Sequence, residues 1–396
     1  MPHARPMENA RPARLDSIDL LRGLVMVIMA IDHTRDYFHF SAIQGVDPTD
    51  LSRTSHWIFF TRWITHYCAP TFSFLAGTGV FLSATRGKTK RELSWFLVTR
   101  GAWLVLLELT FFYWAWNFAL PWHDNWGLVI WALGWSMIFL AALIHLPLWA
   151  VATASVVMIA GHNALDGIAP AAFGSLAWLW HLLHVPGTFT IGPGYGFLAY
   201  YPLIPWLGVM SAGYAFGALY TLAPEARRAW LWRLGLGAIA LFVILRAGNI
   251  YGDARPWSPQ PRGGFGLWSF LNVTKYPPSL LYLLMTLGPG FVLLAAWDRG
   301  SPRWLQPFVV FGRVPFFYYA LHIPLIHALS WLWFQHRYGR ADFFLPGGPA
   351  APADAGFPLW VVYAVWASVI LALYPACRWF ADYKRRHRDV AWLSYI

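Results

Sequence analysis

The sequence predicts an all-α polytopic membrane protein with about ten transmembrane helices. Hydrophobic residues make up 58% of the 396 residues and charged residues only 12%, whereas soluble proteins average about 25% charged residues. The chain also holds 26 tryptophans, 18 tyrosines and 29 phenylalanines, residues that membrane proteins collect at both membrane interfaces. These observations argue against a soluble protein and favour a single transmembrane domain over residues 1–396.

Apolar segments long enough to cross a bilayer recur along the whole chain. In order, the predicted spans are residues 18–40, 57–83, 93–116, 126–145, 147–161, 199–220, 229–248, 277–297, 307–334 and 357–380. The longest connection, residues 162–198, is predicted to hold an interfacial helix followed by a glycine-rich loop. The first span has no cleavable signal before it and is predicted to act as an uncleaved anchor.

Basic residues are concentrated in alternate loops, which sets the predicted orientation. The richer set of loops contains Arg5, Arg11, Arg14, Arg86, Lys88, Lys90, Arg91, Arg227, Arg228, Arg299, Arg303, Lys384, Arg385, Arg386 and Arg388. The opposite loops contain few, among them Arg53, Arg255, Arg262, Arg337 and Arg340. The positive-inside rule therefore places both termini in the cytoplasm, with residues 1–16 and 381–396 as cytoplasmic segments. The net charge of +11 is assigned to this face, and no nucleic-acid partner is expected.

The two cysteines, Cys68 and Cys377, both lie inside apolar segments. Neither predicts a disulfide framework. The sequence contains no phosphate-binding loop and no dinucleotide-binding motif. Its 14 histidines show no metal-binding spacing within a predicted span, so no bound metal is expected.

The first span carries three ionisable residues, Arg22, Asp32 and His33. His33 follows Arg22 by eleven positions, so both side chains share one helix face about 16 Å apart. Ionisable groups inside a membrane normally face a protein interior or a wet cavity. The first helix therefore predicts a polar path from one membrane face to a histidine near the middle.

The second span begins at about His56 and continues past His66. Its predicted direction brings His56 to the depth of His33, and imidazole suits acid–base or nucleophilic work because its pKa lies near neutrality. Asp32 is close enough along the chain to orient an imidazole. The alternative is structural, with these histidines forming hydrogen bonds between helices.

The ninth span repeats the layout of the first, with Arg313 at the cytoplasmic end and His322 about 13 Å deeper if the segment is one helix. With Arg22 and the basic loop that includes Lys90, Arg313 offers positive charge for an anionic ligand with phosphates. The alternative is that these residues serve topology and lipid head groups.

Two proline-containing segments begin the sixth and eighth spans on the predicted outer side. The first contains Tyr201 and the second Lys275. Both are consistent with simple helix starts that carry an aromatic anchor. Alternatively, Tyr201, Lys275 and His66 line a pocket for an acceptor.

Several of these motifs resemble known membrane acyltransferases. Arg22 and His33, with ten residues between them, resemble the Arg-x10-His motif in the first helix of acyltransferase-3 enzymes. Asp19-Leu-Leu-Arg22-Gly23 resembles the opening motif of the heparan-α-glucosaminide N-acetyltransferase family in its smaller bacterial form. Segment 69–77 resembles that family's Pro-x-Phe-x-Phe-x-x-Gly motif.

The resemblance continues in the later blocks around Lys275 and His322, and it places His56 where the family has its catalytic histidine. It departs in two positions: His33 stands where the human-type enzyme has an amide residue, and Val314 replaces an asparagine. These two differences leave open which acceptor is used and which catalytic roles His33 and His56 have.

The resemblance implies a bundle around a central channel, a bacterial inner-membrane location and an acetyl-CoA donor that enters from the cytosol. An acyl group would then pass to the amine or hydroxyl of an extracytoplasmic sugar or glycan. His33 or His56 would act on the acceptor with Asp32 in support, and Arg22, Arg313, Lys90 and His322 would hold the donor. Membrane lipids and a second copy of the chain are the further partners considered.

Two alternatives from other classes stay open. A secondary transporter or lipid carrier would use the buried Arg, Asp and His residues to bind substrate and relay protons. A structural partner of a cell-envelope complex would leave those ionisable residues without a role. Binding of CoA separates an acyltransferase from both.

Overall fold

The computed structural model describes residues 16–121, 123–387 and 389–396. About 70% of the chain is helical. The predicted N-terminal segment, with Arg5, Arg11 and Arg14, lies outside the described residues, as does Arg388 of the predicted C-terminal tail.

Sixteen α-helices occur in the described part of the chain. They are α1 (Asp16–Phe38), α2 (Phe40–Ile43), α3 (His56–Thr65), α4 (Cys68–Ala84), α5 (Lys90–Leu107), α6 (Tyr113–Asn117), α7 (Val129–Leu143), α8 (Leu148–Gly161), α9 (Ala177–Leu183), α10 (Leu203–Phe216), α11 (Pro224–Ala247), α12 (Phe265–Leu271), α13 (Leu280–Trp297), α14 (Gln306–Arg313), α15 (Pro315–Tyr338) and α16 (Leu359–Arg386). A π-helical turn, Glu108–Phe112, joins α5 to α6. Short 3₁₀ turns occupy His162–Leu165, Pro170–Leu176, Gly217–Thr221, Arg303–Leu305, Asp342–Phe344 and Ala391–Ser394.

The helices confirm a multi-pass all-α membrane protein. Each of the ten predicted segments contains a helix of the structure, and the predicted interfacial helix of segment 162–198 corresponds to α9. Six helices of the described chain are long and apolar enough to cross a membrane, and α14 and α15 together make a seventh if the bent pair counts as one span. The full count of ten spans and the location of the termini remain predictions.

Helix α1 lies at the centre of the bundle because it packs against α4, α14, α15 and α16. Its apolar residues are buried in the core, including Leu20, Met26 and Ala30. Asp32 and Arg35 are also buried, and the Arg22 side chain is 19% exposed, so these three charged residues face protein rather than lipid, as intramembrane ionisable groups normally do. This burial explains how a membrane helix tolerates Arg22, Asp32 and Arg35 together.

Helices α1 and α14 approach each other backbone to backbone. A Cβ atom on Gly23 would overlap the carbonyl of Phe308, and one on Gly312 would overlap the carbonyl of Asp19. Only glycine allows such a close approach. This contact therefore fixes the position of α14 against the end of α1 that carries Arg22.

The ninth predicted span is not a single helix. Helix α14 ends at Arg313, Val314 adopts a non-helical conformation, and α15 starts at Pro315 with an axis bent by 85°. The residue before a proline seldom adopts helical backbone angles, because it would clash with the proline ring. Proline itself is well tolerated at the first position of a helix. The single straight helix on which the expected separation of about 13 Å between Arg313 and His322 depended is therefore wrong.

A small sheet modifies the all-α expectation. It consists of β1 (Asp124–Gly127), β2 (Gly187–Thr190) and β3 (Gly196–Ala199), in the order β1–β3–β2. Strand β3 pairs in parallel with β1 and antiparallel with β2. Gly192 and Gly194 adopt positive φ angles in the turn between β2 and β3, which glycine adopts without strain.

Candidate active site

A cavity of about 650 Å³ lies where α1, α3, α4 and α7 meet the loops before α10 and α13. Its polar lining includes Asp32, His33, Arg35, Asp36, Arg62, His66, Tyr200, Tyr201, Arg255, Lys275, Tyr276 and Tyr319. Apolar residues of α1 and α4, such as Val25, Met29 and Phe72, complete its wall. This volume is typical of a small-molecule site with a few convergent polar groups.

A second histidine, His322, orients the imidazole ring of His33. Its Nδ1 lies 2.7 Å from Nε2 of His322, and Nδ1 of His322 lies 3.0 Å from the carbonyl oxygen of Tyr318. Since a carbonyl only accepts, His322 donates from Nδ1 and its neutral Nε2 must accept. His33 therefore donates from Nδ1, and its Nε2 carries the lone pair when the ring is neutral.

The tautomer of His33 gives the site a base. With Nδ1 committed to His322, Nε2 is the nitrogen left for a ligand in the cavity that His33 lines. The ring is further fixed by an edge-on contact with Trp116, with ring centroids 4.8 Å apart. An oriented imidazole with a free lone pair can remove a proton or act as a nucleophile.

Asp32 belongs to a network of alternating charges. Its Oδ2 accepts from Arg62, its Oδ1 lies 3.0 Å from Arg35, and Arg35 also pairs with Asp36 at 2.6 Å. All four side chains line the cavity, and Arg35 is the most buried of them. The expected contact of Asp32 with His33 or His56 is not among its ion pairs or hydrogen bonds, and its carboxylate is held by the two guanidinium groups.

Lys275 and Tyr276 form the opposite polar wall. The ammonium group of Lys275 lies 5.2 Å from the ring centre of Tyr276, and the Tyr276 hydroxyl lies 3.4 Å from that of Tyr201. Burial raises the pKa of Tyr276, which lies in the loop before α13, but the positive charges of Lys275 and Arg62 outweigh it and hold the pKa below its ordinary value. This wall favours groups that develop negative charge.

The structure brings together six of the predicted site residues. Five of them line the cavity: Asp32, His33, His66, Tyr201 and Lys275. His322 is fully buried and reaches the cavity through His33. His66 is also buried, and its backbone carbonyl accepts from the Tyr282 hydroxyl.

His56 lies elsewhere. It is the first residue of α3 and is exposed. Its Nδ1 accepts a hydrogen bond from the indole of Trp268, and its ring packs against that of Phe265, with ring centroids 4.4 Å apart. It does not line the described cavity.

The predicted donor-binding residues Arg22 and Arg313 lie together at the crossing of α1 and α14. Arg22 donates to the carbonyl of Gly312 at 3.3 Å and pairs with Asp19 at the same distance, while Arg313 lies 3.4 Å from Asp16. The Arg22 and Arg313 side chains keep 19% and 34% of their surface exposed. Both can therefore still contact a ligand.

Lys90 and Arg100 extend the basic region along α5. Lys90 is exposed and donates to the carbonyl of His145. Arg100 is near enough to Arg22 for their like charges to repel, and it donates to the carbonyl of Ser394. Sequence reasoning missed Arg100, although it lies ten residues after Lys90 and inside the third predicted span.

Other site residues were also missed from the sequence. Arg35 could have been found from its position three residues after Asp32, one helical turn away. Tyr276 directly follows the predicted Lys275. Trp116 comes from the end of the third predicted span and carried no local pattern pointing to His33.

The sequence matches the protein-family model described as "Heparan-alpha-glucosaminide N-acetyltransferase, catalytic" over residues 14–247. This range covers more than half of the 396 residues and contains Arg22, Asp32, His33 and Arg62. No curated protein matches the chain.

Proposed function

The chain belongs to the heparan-alpha-glucosaminide N-acetyltransferase family, and from this premise we propose that it moves an acetyl group from cytosolic acetyl-CoA to a sugar outside the cytoplasm. Family membership implies a membrane acyltransferase. The observation that carries the finer proposal is His33, which lines the cavity while His322 holds its Nδ1.

In the proposed reaction, the acceptor's hydroxyl or amine lies in the cavity and gives its proton to Nε2 of His33. The acceptor oxygen or nitrogen then bonds to the acetyl carbon and forms a tetrahedral intermediate, and the bond from that carbon to sulfur breaks as the intermediate collapses. The proton passes from His33 to the departing CoA thiolate, so that the imidazole returns to its neutral form.

A two-step course uses the same atoms. Nε2 of His33 attacks the thioester carbon, and CoA leaves as the thiolate. The acceptor then attacks the acetyl carbon, and the bond between that carbon and Nε2 breaks. The acceptor's proton passes to the thiolate, and His33 returns to its neutral form. In both courses the tetrahedral intermediate carries a negative oxygen. Lys275 and Tyr276 line the same cavity and supply positive charge and a hydroxyl donor for it.

The donor's phosphates are assigned to the basic region of Arg22, Arg313, Arg100 and Lys90. Arg22 and His33 contact consecutive parts of one broken segment, Gly312 at the end of α14 and His322 in α15. A donor anchored at Arg22 would therefore extend along one face of α1 toward His33. With both termini cytoplasmic, the Arg22 end faces the cytosol and the acceptor enters from the other side of a bacterial inner membrane.

We propose separately that His56 is a second catalytic histidine. Its exposed position requires that the acceptor, or a movement of the loop that carries it, bridges the distance to the cavity. The His33 and His56 proposals are separable because only His33 contacts the cavity in this conformation.

The test is release of free thiol from acetyl-CoA by detergent-purified protein, with and without glucosamine, for the wild type, His33→Ala and His56→Ala. Glucosamine-dependent release that disappears in His33→Ala supports direct transfer. Release without glucosamine, also lost in His33→Ala, supports the acetyl-imidazole. Loss only in His56→Ala transfers the catalytic role to that residue.

One alternative function has an observation of its own. The charged network of Arg35, Asp32 and Arg62 lines the cavity, as the substrate and proton sites of secondary transporters do. Neither a transporter nor a lipid carrier needs CoA. Absence of both thiol release and CoA-induced thermal stabilisation would therefore favour this alternative over acyl transfer.

A further inference from the structure

Two histidines and an aspartate meet outside the cavity, in the connection after α8. They are His162 and Asp166, in and directly after the 3₁₀ turn that follows α8, and His184, which directly follows α9. Their candidate ligand atoms all lie within 4.8 Å of one another. His162 and His184 are 2% and 0% exposed, so both imidazoles are removed from solvent.

The two imidazoles lack the partners that buried rings normally have. Nε2 of His184 lies 3.1 Å from Oδ1 of Asp166, but neither ring nitrogen of His184 makes a hydrogen bond of normal geometry to any described residue. The same holds for both ring nitrogens of His162. Four buried nitrogens beside one carboxylate are therefore left with little compensation for their lost hydration.

We propose that His162, Asp166 and His184 bind a divalent transition-metal ion of the zinc type. Two neutral imidazoles and a carboxylate are a common ligand set for Zn²⁺, which binds them at about 2.0–2.2 Å and leaves them about 3.4 Å apart in a tetrahedron. The candidate ligand atoms lie within 4.8 Å of one another, so a bound ion would draw them closer together by rotation of their side chains. The half-buried Asp166 side chain, 21% exposed, provides the opening to solvent and to a fourth, water ligand.

The surroundings resemble the outer shell of a metal site. Oδ2 of Asp166 accepts from the amide nitrogen of Asn163 at 2.8 Å, and Oδ1 of Asn163 accepts from the backbone of Leu280 at 2.8 Å. The carbonyl of Pro278 faces the imidazole of His162, although the two do not form a hydrogen bond of normal geometry. Hydrogen-bonded carboxylates and histidines oriented by a backbone carbonyl are what metal ligands usually require.

The site has a structural role in this proposal. The metal would tie the end of α8 to the end of α9 and, through Asn163, to the start of α13. Pro278 follows Tyr276 by two residues, and Tyr276 lines the cavity. Metal binding would therefore stabilise the loop that forms one wall of the cavity. The site is separate from the acyl-transfer residues, and its test is independent of acetyl-CoA turnover.

The first experiment measures metal content. The full-length protein is purified in detergent with a histidine-free tag, stripped with chelator, incubated with Zn²⁺, desalted and analysed by elemental mass spectrometry. We expect about one zinc ion per chain in the wild type and loss of that ion in His162→Ala and His184→Ala. The matched control is His181→Ala, three residues before His184 on α9, where Nδ1 of His181 lies 3.0 Å from the Val185 carbonyl. It should retain the ion.

A milder variant and an absorption spectrum distinguish loss of the metal site from misfolding of the protein. Asp166→Asn preserves the shape of the side chain and should weaken zinc retention while the protein stays folded by size-exclusion chromatography. Cobalt-loaded wild type should show visible ligand-field absorption that Asp166→Asn changes and His181→Ala does not. Zinc should also raise the melting temperature of the wild type and the control only. The proposal would be overturned if the wild-type protein retained no zinc. It would also be overturned if all variants retained as much zinc as the wild type.

Discussion

Nδ1 of His33 lies 2.7 Å from Nε2 of His322, and this contact joins the central helix α1 to the bent pair α14–α15. The chain of hydrogen bonds ends at the Tyr318 carbonyl, one helical turn after the break at Val314. The same break places Gly312 against Arg22. One irregularity in the backbone therefore positions both the proposed base and the proposed donor-binding arginine.

His322 should act as a positioning residue for His33. In His322→Ala, Nδ1 of His33 loses its acceptor and the ring is free to change tautomer, so kcat should fall by about tenfold or more. The KM for acetyl-CoA should change little, and the pH profile of kcat should shift. Steady-state thiol release across a pH series measures all three. An unchanged pH profile with lower protein yield would assign His322 a purely structural role.

His33 itself should be essential for turnover. A general base contributes about 10²–10⁴-fold, and a nucleophile contributes at least as much, so His33→Ala should reduce thiol release to near background. The control is His66→Ala, because His66 lines the same cavity but is not in the hydrogen-bonded pair. Equal losses in both variants would indicate damage to the cavity rather than loss of a base.

Helical periodicity predicted part of this site correctly. The eleven-residue spacing of Arg22 and His33 placed them on one face of α1, and both contact the α14–α15 pair. This succeeded because the relation is local and depends only on helix geometry. The approximate position of the spans was equally accessible, since the apolar segments follow from bilayer thickness.

Other features depend on contacts distant in sequence. The pairing of Asp32 with Arg62 joins residues 30 positions apart, and strand β1 pairs with β3 across more than 60 residues. Neither carries a periodic pattern. The bend at Val314 had a local signal, the following proline, but proline within an apolar segment is common in membrane helices. The exposed position of His56 depends on its contacts with Trp268 and Phe265.

The pair of Asp32 and Arg62 should stabilise the fold as a unit. Their side chains are 11% and 13% exposed, and removal of one partner from a buried pair costs about 3–5 kcal/mol. Asp32→Asn and Arg62→Gln should each lower the melting temperature in detergent. The double variant should lower it by less than the two single losses added together. Additive losses would show that the two side chains act independently.

Arg22 and Arg313 should determine affinity for the donor. Hydrogen bonds to charged groups contribute about 1.5–3 kcal/mol each, so Arg22→Gln and Arg313→Gln should raise the KM for acetyl-CoA by about tenfold or more while kcat changes little. Arg53→Gln is the control, because Arg53 is exposed in the loop before α3 and is not among the residues assigned to the donor. A uniform fall in kcat with unchanged KM would contradict donor binding at this crossing.

Gly312 should be irreplaceable because α1 and α14 are in backbone contact there. A methyl group at this position overlaps the Asp19 carbonyl, and relief requires the helices to separate, which moves Arg22 from the Gly312 carbonyl. Overpacking of this kind costs about 1–3 kcal/mol, so Gly312→Ala should lower the melting temperature and raise the KM for acetyl-CoA together. Gly79→Ala in α4 is the matched control, since a Cβ there meets no atom within 4 Å and alanine favours a helix by about 0.5–1 kcal/mol. If both variants behave like the wild type, the α1–α14 crossing can open without cost, and the close contact does not fix the position of Arg22.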